Sequence, residues 1–116
     1  MSKTEVKQTT TVASRSEQLK RYTADVKGCR ATSPHDNRPV FLVWCDDDFG
    51  PFKQNELLEL RENLAAYNES TDQFVGGWWL VRCANRVSET VALPSSKDGW
   101  PLGTSSVVKG VRAPRF

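Results

Sequence analysis

The side chains in this sequence that could do chemistry are few, and they form no catalytic or metal-binding pattern. His35 is the one histidine and lies in a polar stretch. Residues 46–48 are three consecutive aspartates, whereas a calcium-binding loop alternates its carboxylates with other residues. Ser95 and Ser96 lack the flanking glycines of a hydrolase nucleophile turn. We therefore predict no enzyme activity, no metal site and no cofactor.

The three cysteines are Cys29, Cys45 and Cys83, an odd number of thiols far apart in the chain. No C-x-x-C pair is present, which argues against a zinc site built on cysteines. Cys45 and Cys83 lie inside apolar runs, where cysteine behaves as a small hydrophobic residue. Three free thiols are typical of a reducing compartment, so we expect an intracellular, cytoplasmic protein.

Length and charge narrow the class of protein further. A chain of 116 residues with a net charge of +2 is expected to form one domain without the strong basic excess of a nucleic-acid binder. No apolar run approaches the length of a membrane span. The charge is uneven, at +4 over residues 1–33, −6 over residues 34–75 and +4 over residues 76–116. The acidic middle would attract a basic partner.

The elements that must position any site begin with a polar stretch. Residues 1–13 have no hydrophobic period and are expected to be disordered. Residues 14–28 begin with the capping-box spacing of Ser14 and Glu17 and continue with apolar residues at helical spacing, which predicts a short helix. A single globular domain over residues 38–111 and a basic tail over residues 112–116 complete the predicted organisation.

Four runs rich in β-branched and aromatic residues predict the strands of that domain. They cover residues 40–45, 74–83, 90–93 and 105–111, and turn-forming residues bound them. Residues 31–39 contain prolines and polar residues and are predicted to be a loop. One hydrophobic core is expected, formed by Val40, Phe41, Leu42, Val43, Trp79, Val81 and Val91.

Residues 53–67 fit two different elements. Leu57, Leu60 and Leu64 recur at helical spacing, and the composition of the segment also favours a helix. Leu58 and Leu60, however, alternate with charged residues, which is the period of a strand. The residues of this segment alone predict a helix, whereas the order of the motifs around it, described below, predicts a strand and a loop.

Two adjacent tryptophans, Trp78 and Trp79, follow this segment. In a strand, neighbouring side chains point to opposite faces, so one ring faces the core and the other faces away. A large aromatic ring on an outer face usually marks a contact surface. A strand covered on both faces is the alternative explanation.

The order of these motifs resembles the Src-homology-3 family over about residues 40–110. The acidic-leucine stretch from Glu56 to Asn63, the run Trp78-Trp79-Leu80-Val81-Arg82, and the later Leu93-Pro94-Ser95-Ser96 match its three motifs in order. The resemblance implies a mostly β fold with a small Src-homology-3-like barrel, which the short helix predicted within residues 14–28 would precede. It also implies that residues 53–67 are strand and loop.

The resemblance further implies a non-catalytic protein-interaction module. Its groove would bind a proline-rich or basic peptide through Trp78 and Pro94, while acids of a nearby loop pair with a basic residue of the peptide. The implied ligand-binding residues are Trp78, Pro94, Asp46, Asp47 and Asp48, with Trp44 and Phe49 at the remaining aromatic positions.

The alternative is a small α+β protein in which a helix at 53–67 packs on an antiparallel sheet. Such a protein would act as an inhibitor or an assembly subunit that presents its acidic surface to a basic protein partner. Both alternatives name a protein or peptide as the partner and give no role to a membrane or to nucleic acid.

Overall fold

A computed structural model describes residues 12–63, 67–68, 70, 73–74, 78–96 and 99–106 of the chain. Antiparallel β-sheet is the main secondary structure of these residues, as predicted, and their one α-helix is short. No helix in this part of the chain is long and apolar enough to cross a membrane. The elements are the helix α1 Arg15–Leu19, a 3₁₀ turn Lys20–Tyr22, and the strands β1 Arg30–Thr32, β2 Pro39–Cys45, β3 Leu57–Asn63, β4 Tyr67–Asn68, β5 Gln73–Phe74, β6 Trp78–Cys83, β7 Val91–Pro94 and β8 Thr104–Ser106.

The main sheet has the strand order β1-β2-β3-β6-β7, and every pair in it is antiparallel. β2 pairs with β3 on one side and on the other with β1 along its first half and β8 along its second half. The strands of the described residues do not close into a barrel. An isolated bridge between Ser95 and Pro101 lies between β7 and β8. β4 and β5 form a separate two-stranded ladder.

The predicted helix at 53–67 is wrong, because residues 57–63 form the strand β3. Leu58 and Leu60 face one side of the sheet, and Leu57 and Glu59 face the other. All four side chains are buried, because both faces of this strand are covered. The helix of the α+β alternative is therefore wrong as well, although residues 64–66 lie outside the described part of the chain.

One face of the sheet carries what we call the Trp79 core. Trp79 stacks on Trp100 with ring centroids 5.8 Å apart, and Phe41 meets Trp79 edge to face at 5.7 Å. Offset-stacked and edge-to-face contacts are the favoured geometries of aromatic pairs. The buried members of this core are Cys29, Val43, Cys45, Phe52, Leu58, Leu60, Trp79, Val81, Cys83 and Trp100.

The opposite face carries a second cluster, the Tyr22 core, which the segment before β1 covers. The prediction of one core is therefore wrong, because strand alternation sends Val40 and Leu42 to this face and Val43 to the Trp79 core. The buried members of the Tyr22 core are Tyr22, Ala31, Val40, Leu42, Trp44, Leu57 and Ala84.

The segment that covers this face is anchored to the sheet through Gln18. Its Nε2 donates to the Asn55 carbonyl at 2.8 Å, and its Oε1 accepts the Leu57 N–H at 2.7 Å. The side-chain amide thereby satisfies backbone groups at the start of β3, as a paired strand would. The helix begins as predicted, since Ser14 Oγ accepts the Glu17 N–H at 3.2 Å, but its helical turns end at Tyr22 rather than near residue 28.

The other predicted elements agree with the structure to different degrees. β2, β6 and β7 lie within or very near the predicted strands, and β8 begins one residue early. The predicted loop at 31–39 overlaps β1, whose three residues pair with the start of β2. The predictions for residues 1–11 and 107–116, which include the rest of the last predicted strand and the basic tail, fall outside the described residues.

Candidate binding surface around Trp78

Trp78 and Trp79 point to opposite faces of β6, as strand alternation predicts. Trp79 is fully buried, and its Nε1–H donates to the Gly99 carbonyl at 2.9 Å. Trp78 is 40% exposed. The outward ring is therefore Trp78, which is the orientation that the family resemblance implies.

The residues around Trp78 form a continuous, partly apolar strip. Pro94 lies directly opposite Trp78 in the β6–β7 register and is exposed. Leu80 and Ala92 form the next pair on the same face. We call these four residues the Trp78 surface. The Tyr22 core covers the other end of this face and leaves the Trp78 end open.

A charged network separates the Trp78 surface from the Tyr22 core. Glu59 is only 1% exposed and accepts hydrogen bonds from Arg82 Nε at 2.8 Å, from Ser33 Oγ at 2.7 Å and from the Tyr22 hydroxyl. Arg82 Nη2 also donates to Asp36 Oδ2 at 3.1 Å. A buried carboxylate with three donors satisfies the requirement that buried charge be paired and hydrogen-bonded.

The network changes the pKa values of its members. Burial, together with the hydrogen bond to Glu59 and the charge of Glu59, raises the pKa of Tyr22 well above its ordinary value of 10.0. Desolvation opposes ionisation of Asp36, yet the Arg38 N–H and the Arg82 guanidinium lower its pKa overall. A small cavity of about 30 Å³ lies beside Glu59 and Arg82. The network therefore pairs the buried carboxylate of Glu59 with Arg82, which also bonds Asp36.

The acidic loop, Asp46–Asp48, lies at the other end of the sheet from Trp78. Trp44, two residues before this loop, pairs with Leu57 at the start of β3, whereas Trp78 pairs with Asn63 at the end of β3. The seven-residue length of β3, roughly 20 Å, separates the two. The three aspartates are exposed, but they do not border the same groove as Trp78.

The two remaining aromatic positions are not on the Trp78 surface either. Trp44 is 3% exposed, and the Arg15 guanidinium lies 4.7 Å from its ring centroid. Phe49 is half-buried and meets Phe52 edge to face at 5.3 Å. Of the residues predicted to bind a ligand, the structure brings together only Trp78 and Pro94.

The three cysteines are buried, and a hydrogen bond holds the histidine. Cys29, Cys45 and Cys83 are free and buried, as expected of small hydrophobic residues. Burial raises the pKa values of Cys45 and Cys83 to about 11, so both remain thiols near neutral pH. His35 Nε2 lies 2.6 Å from the Ala84 carbonyl oxygen and donates to it in the tautomer that carries the proton there. Within the described residues, no group of three or more His, Cys, Asp or Glu side chains could hold a metal ion.

Sequence reasoning missed the network around Glu59. The alternation of Leu58, Glu59 and Leu60 does place Glu59 on the other face of the strand from the leucines. It does not reveal that the residues before β1 cover that face, because Tyr22 and Ser33 are distant in the chain. Comparisons of the chain with protein-family models, with curated proteins and with solved structures found no match.

Proposed function

We propose that this protein is a non-catalytic interaction module whose Trp78 surface contacts an extended segment of another protein. The observation that carries the proposal is the 40% exposure of Trp78 beside a fully buried Trp79. Tryptophan is enriched at the energetic centres of protein interfaces, and a large ring left open to water favours contact with a partner. The exposed Pro94 across from it enlarges the apolar area.

The partner segment is proposed to be rich in proline. A polyproline-II segment is already extended and presents ring faces that pack on aromatic side chains, so little conformational entropy is lost on binding. The Src-homology-3-like barrel belongs to this proposal. It is supported by the pairing of β2 with both β3 and β8 and by the bridge between Ser95 and Pro101, which brings the end of β7 near the segment before β8.

A second candidate function follows from the acidic loop. Asp46 and Asp47 are exposed, and Asp48 accepts the Gln54 N–H at 2.7 Å and lies 3.9 Å from Lys53 Nζ. A basic protein could bind this loop through ion pairs, either as the target that this chain inhibits or as its partner in an assembly. Because about 20 Å separates the loop from Trp78, a polyproline-II peptide would need about seven residues to reach from one to the other.

The test is a pull-down with the full chain as bait, followed by affinity measurements on each captured partner with variants. Trp78→Ala should weaken binding roughly 30- to 1,000-fold, the effect of removing an aromatic residue from an interface centre. Leu102→Ala is the matched control, because Leu102 is also a large exposed hydrophobic residue, at 64% exposure, and lies outside the Trp78 surface.

Equal affinity of the wild type and the Trp78→Ala variant for every captured partner would contradict the Trp78 surface as the binding site. Replacing Asp46, Asp47 and Asp48 together by asparagine then tests the second candidate. If only this triple variant loses affinity, and its remaining binding depends less on salt concentration, the acidic loop is the binding site and the Trp78 surface is not.

A further inference from the structure

Arg61 lies beside the Trp78 surface, on the same face of the sheet as Trp78. In the β3–β6 register Arg61 is the direct partner of Leu80, which belongs to that surface. Trp78 pairs with Asn63, two positions further along β3, so Arg61 and Trp78 are diagonal neighbours on one face. Such neighbours are about 7–8 Å apart, a distance that a long side chain can span. Arg61 and Leu80 also line the same small cavity, which confirms that their side chains are adjacent.

The guanidinium of Arg61 is only weakly paired within the protein. Its one ion pair among the described residues joins Nη1 to Asp36 Oδ2 at 4.0 Å. The same carboxylate oxygen accepts a hydrogen bond from Arg82 Nη2 at the shorter distance of 3.1 Å, and Arg82 Nε donates to Glu59 at 2.8 Å. Arg82 thus makes the direct contacts with both acids. The side chain of Arg61 is 36% exposed and remains open to an anion from outside.

Arg61 therefore sets the charge that a partner would meet beside Trp78. The aspartates of the acidic loop lie about 20 Å away, at the other end of β3, and contribute no charge to this part of the face. A guanidinium presents a planar fork of N–H donors that matches the two oxygens of a carboxylate. Complementary charge beside an apolar contact gives an interface its specificity.

We propose that the segment bound by the Trp78 surface carries an aspartate or a glutamate whose carboxylate pairs with Arg61. This inference rests on the proposed function, because it names the charge of the segment that packs on Trp78. A polyproline-II segment advances about 3.1 Å per residue, so the acid would stand about two or three residues from the proline in contact with Trp78. An acidic partner is the opposite of the basic peptide that the family resemblance implies.

The experiment is an NMR titration of the full chain with short polyproline peptides whose central residue is glutamate, glutamine or lysine. Prolines on both sides of the central residue allow either chain direction and any spacing. We expect the glutamate peptide to bind about fivefold more tightly than the glutamine peptide, and the lysine peptide to bind most weakly. The largest shifts should occur at Trp78, Leu80 and Arg61, and added salt should reduce the preference for glutamate.

Matched variants test whether Arg61 is responsible. Arg61→Gln should remove the preference for glutamate and leave the affinity for the glutamine peptide unchanged, and Arg61→Glu should transfer the preference to the lysine peptide. Arg30→Gln is the control, because it removes the same charge from the opposite face, where the Arg30 guanidinium lies over Phe41 of the Trp79 core. This control should keep the full preference. Thermal unfolding midpoints near that of the wild type show that folded proteins are compared.

Three results would overturn the inference, and they separate it from the proposed function. Equal affinity for the glutamate and glutamine peptides, with shifts at Trp78, would leave the Trp78 surface as a binding site and remove Arg61 from it. An equal loss of preference in Arg30→Gln and Arg61→Gln would indicate attraction to net charge alone. The absence of binding by all the peptides would overturn the proline-rich partner, and with it the inference that depends on that partner.

Discussion

The two faces of the sheet are buried by different means. The Trp79 core is apolar and is closed by aromatic rings in contact with one another. The opposite face is covered by the segment that carries Tyr22, and a buried carboxylate, Glu59, lies beside that cluster. The stability of the first face comes from close packing and buried apolar area. The stability of the second face also requires the hydrogen bonds to the buried Glu59 carboxylate.

This difference explains how a strand that is buried on both faces can still have one defined register with its neighbours. An apolar cluster on each face would tolerate a one-residue slip of register, since both sets of side chains would remain in apolar surroundings. A slip in β3 would carry Glu59 into the Trp79 core and break its hydrogen bonds with Arg82 and Ser33. We infer that Glu59 fixes the register of β3 between β2 and β6.

The largest expected effect comes from the apolar face. Trp79→Ala removes a fully buried ring that contacts Phe41 and Trp100, and it leaves the Gly99 carbonyl without its indole donor. The free energy of unfolding should fall by about 3–5 kcal/mol. Urea denaturation followed by circular dichroism measures it. A loss below about 1 kcal/mol would show that this ring is not part of a packed core.

The polar face should respond almost as strongly to the loss of Glu59. Glu59→Ala leaves Arg82, Ser33 and Tyr22 without their shared acceptor, and we expect a loss of about 2–4 kcal/mol in unfolding free energy. Glu89→Ala removes an exposed carboxylate and should change stability by less than about 0.5 kcal/mol. If both variants unfold at the same urea concentration, the network does not stabilise the covered face.

The alkaline pH dependence contains a contribution from the polar face that can be isolated by substitution of Tyr22. The pKa of Tyr22 is raised in the folded state, so its contribution to stability is complete below the unfolded value of 10.0 and decreases as the pH rises above it. We expect Tyr22 to account for a loss of about 1 kcal/mol between pH 10 and pH 11, in addition to the loss from Cys45 and Cys83, whose pKa values are also raised. Tyr22→Phe should show a flatter profile over that interval. Parallel profiles for the two proteins would mean that the Tyr22 hydroxyl is accessible to hydroxide.

The smallest effect on stability is expected at the other tryptophan. Trp78 is exposed on the uncovered end of the polar face, so Trp78→Ala should change the unfolding free energy by less than about 0.5 kcal/mol. The contrast with Trp79→Ala is the decisive measurement, because the two substitutions are chemically identical and adjacent. Equal destabilisation by both would show that a further part of the chain covers Trp78, and the proposed binding surface would be lost.

The sequence predicts the strands well where one local signal dominates. The run from Val40 to Cys45 predicted β2 with nearly correct ends, whereas the strand predicted at residues 74–83 has the correct last residue of β6 but begins four residues before Trp78. Residues 57–63 were ambiguous, because a strand buried on both faces places leucines at consecutive positions and so produces spacings of three that also fit a helix. The family resemblance, which depends on the order of motifs and not on local period, favoured the strand.

The candidate site was predictable only in part. The outward direction of Trp78 follows from alternation once the family resemblance chooses the face, and the same resemblance implied that Pro94 lies beside it. The separation of the acidic loop from Trp78 depends on the strand register, which no local pattern contains. The burial of Trp44 has a similar origin, since the segment that carries Arg15 packs over it from a distant part of the chain.

The anchoring of Gln18 has a consequence for the order in which the molecule folds. The hydrogen bond from Leu57 to Gln18 spans 39 residues, that from Tyr22 to Ala84 spans 62, and that from Asn85 to Gln18 spans 67. The five-residue helix α1 is too short to persist alone in water. On the ribosome, residues 14–33 are synthesised early but find their partners only after residue 85 has emerged. Closing such long loops is slow, so the burial of Tyr22 should be among the last steps of folding, after the pairing of β3 with β6.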